Sequence, residues 1–319
     1  MEYGAETWSV NLPKKFETML EKVLLSFARK VTSVPKCVPS AFVRMELGLQ
    51  SMRSRWDKLI LNYVDAICKV EDERYTKITL ANILASNAVT NWEAGLIKIC
   101  RSFENADCPD RFFGIEELHN LTKDLLPQIG SRDEEAIWSE IDSLNSLKFY
   151  KHIRSREKID QKHAWAKTHI GRHSHRFLEN YLDDWRYNKE PSKLYLLARA
   201  NALPLNSQTR RFNNLDLHFG TCQFCKSEDQ QDLHHLVCLC PGLSNLQQKL
   251  HKSTMWILSN SRTENVLSPN TFSNLSPQEQ LYVYLGKRIN CTWAEDKIRI
   301  AFQKFLHKII TLHKNSSKC

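Results

Sequence analysis

The stretch "CQFCKSEDQQDLHHLVCLCP", residues 222–241, contains four of the ten cysteines of the chain and two adjacent histidines. Cys222 and Cys225 are separated by two residues, so both thiolates can face one ion. After a gap of nine residues, His235 and Cys240 supply a second pair of ligands. Three soft thiolates with one imidazole favour Zn²⁺ over Mg²⁺ or Ca²⁺. Because four protein ligands leave no open coordination position, the pattern predicts one structural zinc ion.

The second half of this cluster contains alternative ligands, because His234 and Cys238 lie beside His235 and Cys240. Two other interpretations compete with zinc. The four cysteines can be buried thiols without a metal, or the first pair can be a redox motif, although no thioredoxin-like βαβ pattern surrounds it. The remaining six cysteines are scattered, and we interpret them as ordinary core or surface residues: Cys37, Cys68, Cys100, Cys108, Cys291 and Cys319.

Outside the cluster, apolar residues recur at helical spacing through most of the chain, and alternating β patterns are nearly absent. Residues 16–31 place Phe16, Met19, Leu20, Val23, Leu24 and Phe27 on one helical face. Residues 40–70 read as one or two helices, with Gly48 as a possible break. The sequence therefore predicts an all-α protein, a multi-helix assembly with a small zinc-stapled CCHC knuckle insert.

Four regions are expected along the chain. They are a helical region (1–147), a basic helical segment (148–205), the zinc knuckle (206–242) and a helical C-terminal region (243–319). No run of about 18 apolar residues is present, so we expect no transmembrane helix and no membrane partner. The N-terminal residues lack the layout of a signal peptide, which predicts an intracellular protein of the nucleus, the cytoplasm or both.

Positive charge is concentrated between residues 148 and 176. Nine basic residues and two acidic ones in this segment account for seven of the net nine positive charges of the chain. Such a segment can neutralise phosphates, and the aromatic side chains among the cations can stack on unpaired bases. We predict binding of RNA or DNA through Lys148, Lys151, Arg154, Arg156, Lys158, Lys162, Lys167, Arg172 and Arg176. The alternative is a solvated helix face that maintains solubility.

The tetrapeptide Tyr181-Leu182-Asp183-Asp184 matches the pattern by which some polymerases present two metal-binding carboxylates. A catalytic pair of this kind requires a tight turn between β-strands. Here the flanking apolar residues form one continuous helical arc, with Asp183 and Asp184 on the opposite face. We interpret the segment as an amphipathic helix, and the sequence predicts no catalytic residues.

Residues 194–241 resemble the zinc-binding region at the C-terminal end of non-LTR retrotransposon reverse transcriptases. The matching residues are Arg199, Leu203, Pro204, Leu205, Cys222, Cys225, His235, Leu236, Cys240 and Pro241. Residues 34–64 are similar to the helical region after the polymerase thumb, with "ELGL" at Glu46–Leu49. The resemblance implies a truncated or remnant C-terminal portion of such a protein, without the polymerase palm and without catalysis of its own.

A second hypothesis is a protein-interaction scaffold in which zinc staples helical halves. Its docking surface would be the exposed face of "FQKFLHKIITLHK", residues 302–314, near the C-terminus. The apolar periodicity of that helix favours simple core packing instead. The two hypotheses differ in partner, since the first requires nucleic acid and the second a protein.

Overall fold

The computed structural model describes residues 4–5, 9–86, 89–103, 110–112, 114–144, 147, 150, 189–225, 227–261, 266–287, 289 and 291–316. Every regular element within these ranges is a helix, which confirms the all-α class. The nine basic residues predicted to bind nucleic acid lie outside these ranges, as do Asp183 and Asp184. Within the same ranges, no helix has the length and apolar character needed to cross a bilayer.

Contacts divide the chain into two units, and the first comprises Met1–Ala28, Val43–Met45 and Leu49–Glu140. The helices that lie wholly or partly in it are α1 (Lys14–Thr32), α2 (Ser40–Leu47), α3 (Met52–Lys69), α4 (Tyr75–Ala85), α5 (Asn91–Cys100), α6 (Ile115–Leu125) and α7 (Gln128–Ser143). The predicted break at Gly48 is confirmed, because α2 ends at Leu47 and Gly48 has a φ of 60°.

The core of the first unit forms where α3 packs against α6. Trp56 of α3 is fully buried, and Leu20 and Leu24 of α1 pack against it. Only part of the apolar face predicted for α1 is covered, since Phe16, Met19, Val23 and Phe27 stay exposed. The helix therefore presents an apolar stripe to solvent on one side of its packed face.

The second unit comprises Arg29–Phe42, Glu46–Gly48 and Ile141–Cys319. Its further helices are α8 (Lys189–Arg199), α9 (Asn206–Asn213), α10 (Ser244–Ser259), α11 (Pro269–Asn274), α12 (Pro277–Tyr284) and α13 (Thr292–Ser316). Helix α13 packs against α8 and α10. Its apolar side chains, Phe302, Phe305, Leu306, Ile309 and Ile310, are all buried. These five side chains serve core packing, whereas Leu312 of the same stretch is 37% exposed, and the docking hypothesis for residues 302–314 stays a prediction.

A buried ion pair organises the second unit. Arg199, at the end of α8, is 2% exposed, and Glu46 of α2 is fully buried. The guanidinium Nη2 lies 2.7 Å from Glu46 Oε1, while Nη1 donates to the carbonyl of Leu285 at 2.6 Å. The hydroxyl of Tyr150 also donates to Glu46 Oε1, at 2.7 Å. The charges are therefore paired and further satisfied by hydrogen bonds, as burial in a protein core requires.

Position 286 requires glycine, because the backbone there passes close to the side chain of Arg199. Gly286 has a φ of 99°, a conformation that other residues rarely adopt. A Cβ atom at this position would lie 2.6 Å from Arg199 Nη1 and 2.9 Å from the hydroxyl of Tyr195. Glycine therefore allows the turn after α12 to reach the guanidinium.

The predicted division into four regions, with boundaries at 147, 205 and 242, stays a prediction.

Candidate metal centre

The side chains of Cys222, Cys225, His235 and Cys240 meet at one point. Their ligand atoms all lie within 4.8 Å of one another. The two sulfurs of Cys222 and Cys240 are 3.7 Å apart, and Cys225 Sγ lies 3.4 Å from His235 Nε2. A tetrahedral zinc ion with ordinary bond lengths places its ligand atoms about 3.6–3.8 Å apart. Both of these separations are close to that range, and the four residues can hold one metal ion.

A π-helical turn explains the spacing of the second ligand pair. Residues His235–Leu239 form this turn, and the backbone N–H of Cys240 donates to the carbonyl of His235 at 2.7 Å. A separation of five residues is one π turn, so His235 and Cys240 lie side by side. Between them, Leu236 and Val237 are buried. The turn thus places both candidate ligands side by side while Leu236 and Val237 pack into the second unit.

The first ligand pair is positioned by a short antiparallel contact. Thr221 and Gln230 form an isolated bridge, and the backbone N–H of Cys222 donates to the carbonyl of Asp229 at 2.9 Å. This contact folds the loop between the two ligand pairs back on itself. Gly242 closes the other side, because a Cβ atom there would lie 2.2 Å from the carbonyl oxygen of Phe224. The absence of a side chain lets the turn after Cys240 touch the Cys-x2-Cys loop.

The knuckle is anchored to the rest of the second unit by polar contacts. Gln231 is fully buried, and its side-chain oxygen accepts a hydrogen bond from the backbone N–H of Asn206 at 3.1 Å. Asn206 Nδ2 in turn donates to the carbonyl of Thr221 at 2.9 Å. On the other side, Gln223 contacts His313 in the last turns of α13, through both the imidazole ring and the backbone carbonyl. The metal centre is therefore linked to α9 and to α13.

The thiols differ in how easily they ionise. Burial raises the pKa of Cys240 to about 12, and neighbouring Cys222 adds to this effect. Burial also raises the pKa of Cys222. At Cys225, burial opposes ionisation, but hydrogen bonds from Ser227 and His235 outweigh it and lower the pKa to about 6. Three thiolates confined in this space repel one another, and a divalent cation among them would remove that penalty.

Acidic residues near His235 hold it in place. Its backbone N–H donates to Asp232 Oδ1 at 2.8 Å, which fixes the start of the π turn. On the ring, Nε2 faces Cys225, whereas Nδ1 lies 3.8 Å from Asp229 Oδ2. A carboxylate beyond the non-ligating nitrogen is the usual arrangement around a metal-binding histidine, because it favours the tautomer that leaves the other nitrogen free.

The alternative ligands are not part of the cluster. Cys238 Sγ donates to the carbonyl of Pro277 at 3.1 Å, and burial raises the pKa of its thiol to about 12. His234 precedes the π turn and is absent from the group of ligand atoms within 4.8 Å. The geometry therefore selects His235 and Cys240 from the two pairs that the sequence left open.

This selection predicts different outcomes for the adjacent histidines. The change His235→Ala removes one of four ligands, so metal affinity should fall by about 100-fold or more, given about 10–16 kcal/mol for a complete structural site. The change His234→Ala should leave the affinity within a few-fold of the parent. Competition titration with a chromophoric chelator measures both. Equal losses in the two variants would contradict the assignment of His235.

Several residues that shape the site had escaped sequence interpretation. Asp232 stands three positions before His235, a spacing typical of side-chain capping, so a local signal existed. Gly242 follows Pro241 in a Pro-Gly pair, which is a turn signal. His313 lies 90 positions from Gln223 and had no such signal, because a contact between distant segments leaves no mark on local periodicity.

Chemically, the centre has the character of a structural site. All four ligands come from the protein, and Cys222, Cys240 and His235 are buried, so a bound ion would have no position for substrate or water.

No family model, no curated protein and no solved structure matches this chain.

Proposed function

We propose that the chain is a non-catalytic nucleic-acid-binding protein whose Cys222/Cys225/His235/Cys240 centre holds one structural Zn²⁺ ion. The observation that carries the proposal is the meeting of three sulfurs and one nitrogen within 4.8 Å of one another, with Cys222, His235 and Cys240 buried and Cys225 half-buried. Soft ligands of this kind favour zinc among the common divalent ions. The bound ion would join the Cys-x2-Cys loop to the π turn and contribute to the folding of the knuckle.

Nucleic acid is the proposed partner because of how charge is distributed along the sequence. Seven of the nine net positive charges fall between residues 148 and 176, with Phe149 and Trp165 in the same segment. Tyr150 of this segment is fully buried and donates to Glu46, so it is not one of the proposed stacking rings. Cations neutralise phosphates and release counterions, while aromatic rings stack on bases. The proposed phosphate contacts are the nine basic residues of this segment.

We further propose a retroelement origin, as the C-terminal portion of a reverse transcriptase-like protein of the non-LTR class. Support comes from the motif residues in 194–241 and from "ELGL" at Glu46–Leu49. Two residues of these separate motifs, Glu46 and Arg199, form the buried ion pair of the second unit. A shared structural role would explain why both motifs occur in one chain.

A protein-interaction scaffold is the second candidate, and the apolar stripe of α1 favours it. Phe16, Met19, Val23 and Phe27 are each about half exposed or more, with Phe27 at 66%. Contiguous exposed apolar residues on a helix are typical of protein-interaction surfaces. Binding to polyanions at increasing salt concentration distinguishes the two candidates, because a scaffold should bind polyanions only weakly and salt should abolish that binding completely.

The nucleic-acid proposal predicts a change in the salt dependence of binding. Substituting Lys158, Lys162 and Lys167 by alanine should lower the slope of log K against log[salt] by about 2 on single strands and about 2.7 on duplex DNA. Fluorescence anisotropy with labelled 20-mer RNA and DNA measures the slope. Arginine at the same three positions should preserve it. An alanine variant with unchanged affinity and slope would contradict the assignment of these residues.

A further inference from the structure

The exposed face of α13 is a cationic stripe. At 100° per residue, Trp293, Lys297, Lys304 and Lys308 fall within an arc of about 60°. All four side chains are exposed, with Trp293 at 44%, and Lys314 is exposed in the last turns. We call Trp293, Lys297, Lys304, Lys308 and Lys314 the α13 cationic face. It lies outside residues 148–176 and outside the stretch that carries the retroelement resemblance.

The positive charge of this face is not cancelled locally. The two acidic residues of α13 are engaged elsewhere, since Glu295 accepts from the backbone N–H of Ile289 at 2.8 Å and Asp296 pairs with Arg299 at 3.2 Å. Among the residues that the structure describes, no carboxylate forms an ion pair with the four lysines of the face. The lysines are therefore available to an external anion.

The face is also held rigidly. The opposite side of α13 is buried through Phe302, Phe305, Leu306, Ile309 and Ile310, and the helix packs against α8 and α10. Phe302 stacks on Tyr284 with ring centroids 5.4 Å apart. Along the helix axis, Lys297 and Lys308, which lie in the arc of about 60°, are separated by about 17 Å at about 1.5 Å per residue, and Lys314 lies further along the helix at the side of this arc. A rigid row of cations over this length matches several consecutive phosphates of a nucleic-acid strand.

The structure assigns to the α13 cationic face the binding of a single-stranded nucleic acid, with its lysines on phosphates and Trp293 stacked on an unpaired base. The inference rests on the proposed nucleic-acid function and adds a described surface to it. A face that only keeps the protein soluble needs charged residues but no exposed aromatic ring. The exposed indole of Trp293, one turn before Lys297, therefore favours a binding role. Stacking platforms beside cationic rows are the usual arrangement for binding single strands.

The lysines and the tryptophan predict separable effects. Replacing Lys297, Lys304, Lys308 and Lys314 by glutamine should lower the salt slope for a labelled 20-nucleotide single strand by about 3 and weaken binding at least about tenfold. The change Trp293→Ala should leave the slope unchanged and weaken binding about 5- to 150-fold. A control variant replaces three exposed lysines of α1, Lys15, Lys22 and Lys30, by glutamine, and it should leave the salt slope unchanged.

The binding measurements distinguish failure of the proposed function from failure of this inference alone. If the full-length parent binds no oligonucleotide, the proposed function fails and this inference falls with it. If the parent binds through residues 148–176 but the α13 variant has the slope of the α1 control, only this inference is overturned. Equal loss of binding to poly-glutamate in the α13 variant and in Trp293→Ala would also overturn it, because the face would then recognise polyanions of any kind. Circular dichroism confirms that each variant remains folded.

Discussion

Chelation of the metal under reducing conditions should unfold the knuckle while the helices of the first unit remain intact. The centre contains two buried thiols whose pKa values are raised by burial, Cys222 and Cys240. Its π turn contacts the Cys-x2-Cys loop through the ligand side chains. A structural zinc site contributes about 10–16 kcal/mol of apparent binding free energy at neutral pH, which becomes folding free energy. Its removal is therefore the largest single effect that we expect on this protein.

Hydrogen exchange measures this effect by region. After chelation, amide protection should fall in residues 217–243 and in the last turns of α13, because Gln223 contacts His313. Protection of α3 and α6 should not change, and added zinc should restore the original pattern. Unchanged exchange in residues 217–243 after complete metal removal would show that the knuckle folds without an ion.

Breaking the buried ion pair of the second unit should cause the second largest effect. The change Arg199→Met removes the guanidinium that pairs with the buried carboxylate of Glu46, while the Tyr150 hydroxyl still donates to it. Removing one partner of a buried pair typically costs about 3–5 kcal/mol of the free energy of unfolding. The carbonyl of Leu285 also loses its donor.

Urea unfolding of three variants tests this prediction. The double change Glu46→Gln with Arg199→Met should cost less than the sum of the single changes, since a neutral amide tolerates burial better than an unpaired charge. As a control, Arg101→Met removes an exposed ion pair with Asp110 and should cost no more than about 1 kcal/mol. A cost below about 1 kcal/mol for Arg199→Met would mean that the pair does not organise the second unit.

Local periodicity was sufficient to predict the fold class, but it did not predict which side chains of each apolar helix face are buried. The apolar face of α1 was correctly placed on a helix, and Leu20 and Leu24 of that face pack against the small cluster of Ala5, Met52 and Trp56. Phe16, Met19, Val23 and Phe27 belong to the same sequence pattern and remain exposed. Periodicity shows that a face is apolar, whereas the width of the neighbouring surface decides how much of it is buried.

The cluster of Cys222, Cys225, His235 and Cys240 was predictable because ligand spacing is a local property. The choice between His234 and His235 was not, since both histidines fit the spacing and only the π turn at His235–Leu239 distinguishes them. The pairing of Glu46 with Arg199 spans 153 positions and joins different helices. A contact of that separation depends on tertiary packing, and composition or spacing carries no trace of it.

Metal content is the most direct test of the central claim. The full chain, purified without chelator under reducing conditions, would be analysed by elemental mass spectrometry beside Cys240→Ser and Cys238→Ser. We predict one zinc per chain in the parent and in Cys238→Ser, whose sulfur donates to Pro277 and lies outside the cluster, and none in Cys240→Ser. A parent without metal, or a Cys240→Ser variant that retains its full zinc content, would contradict the proposed centre.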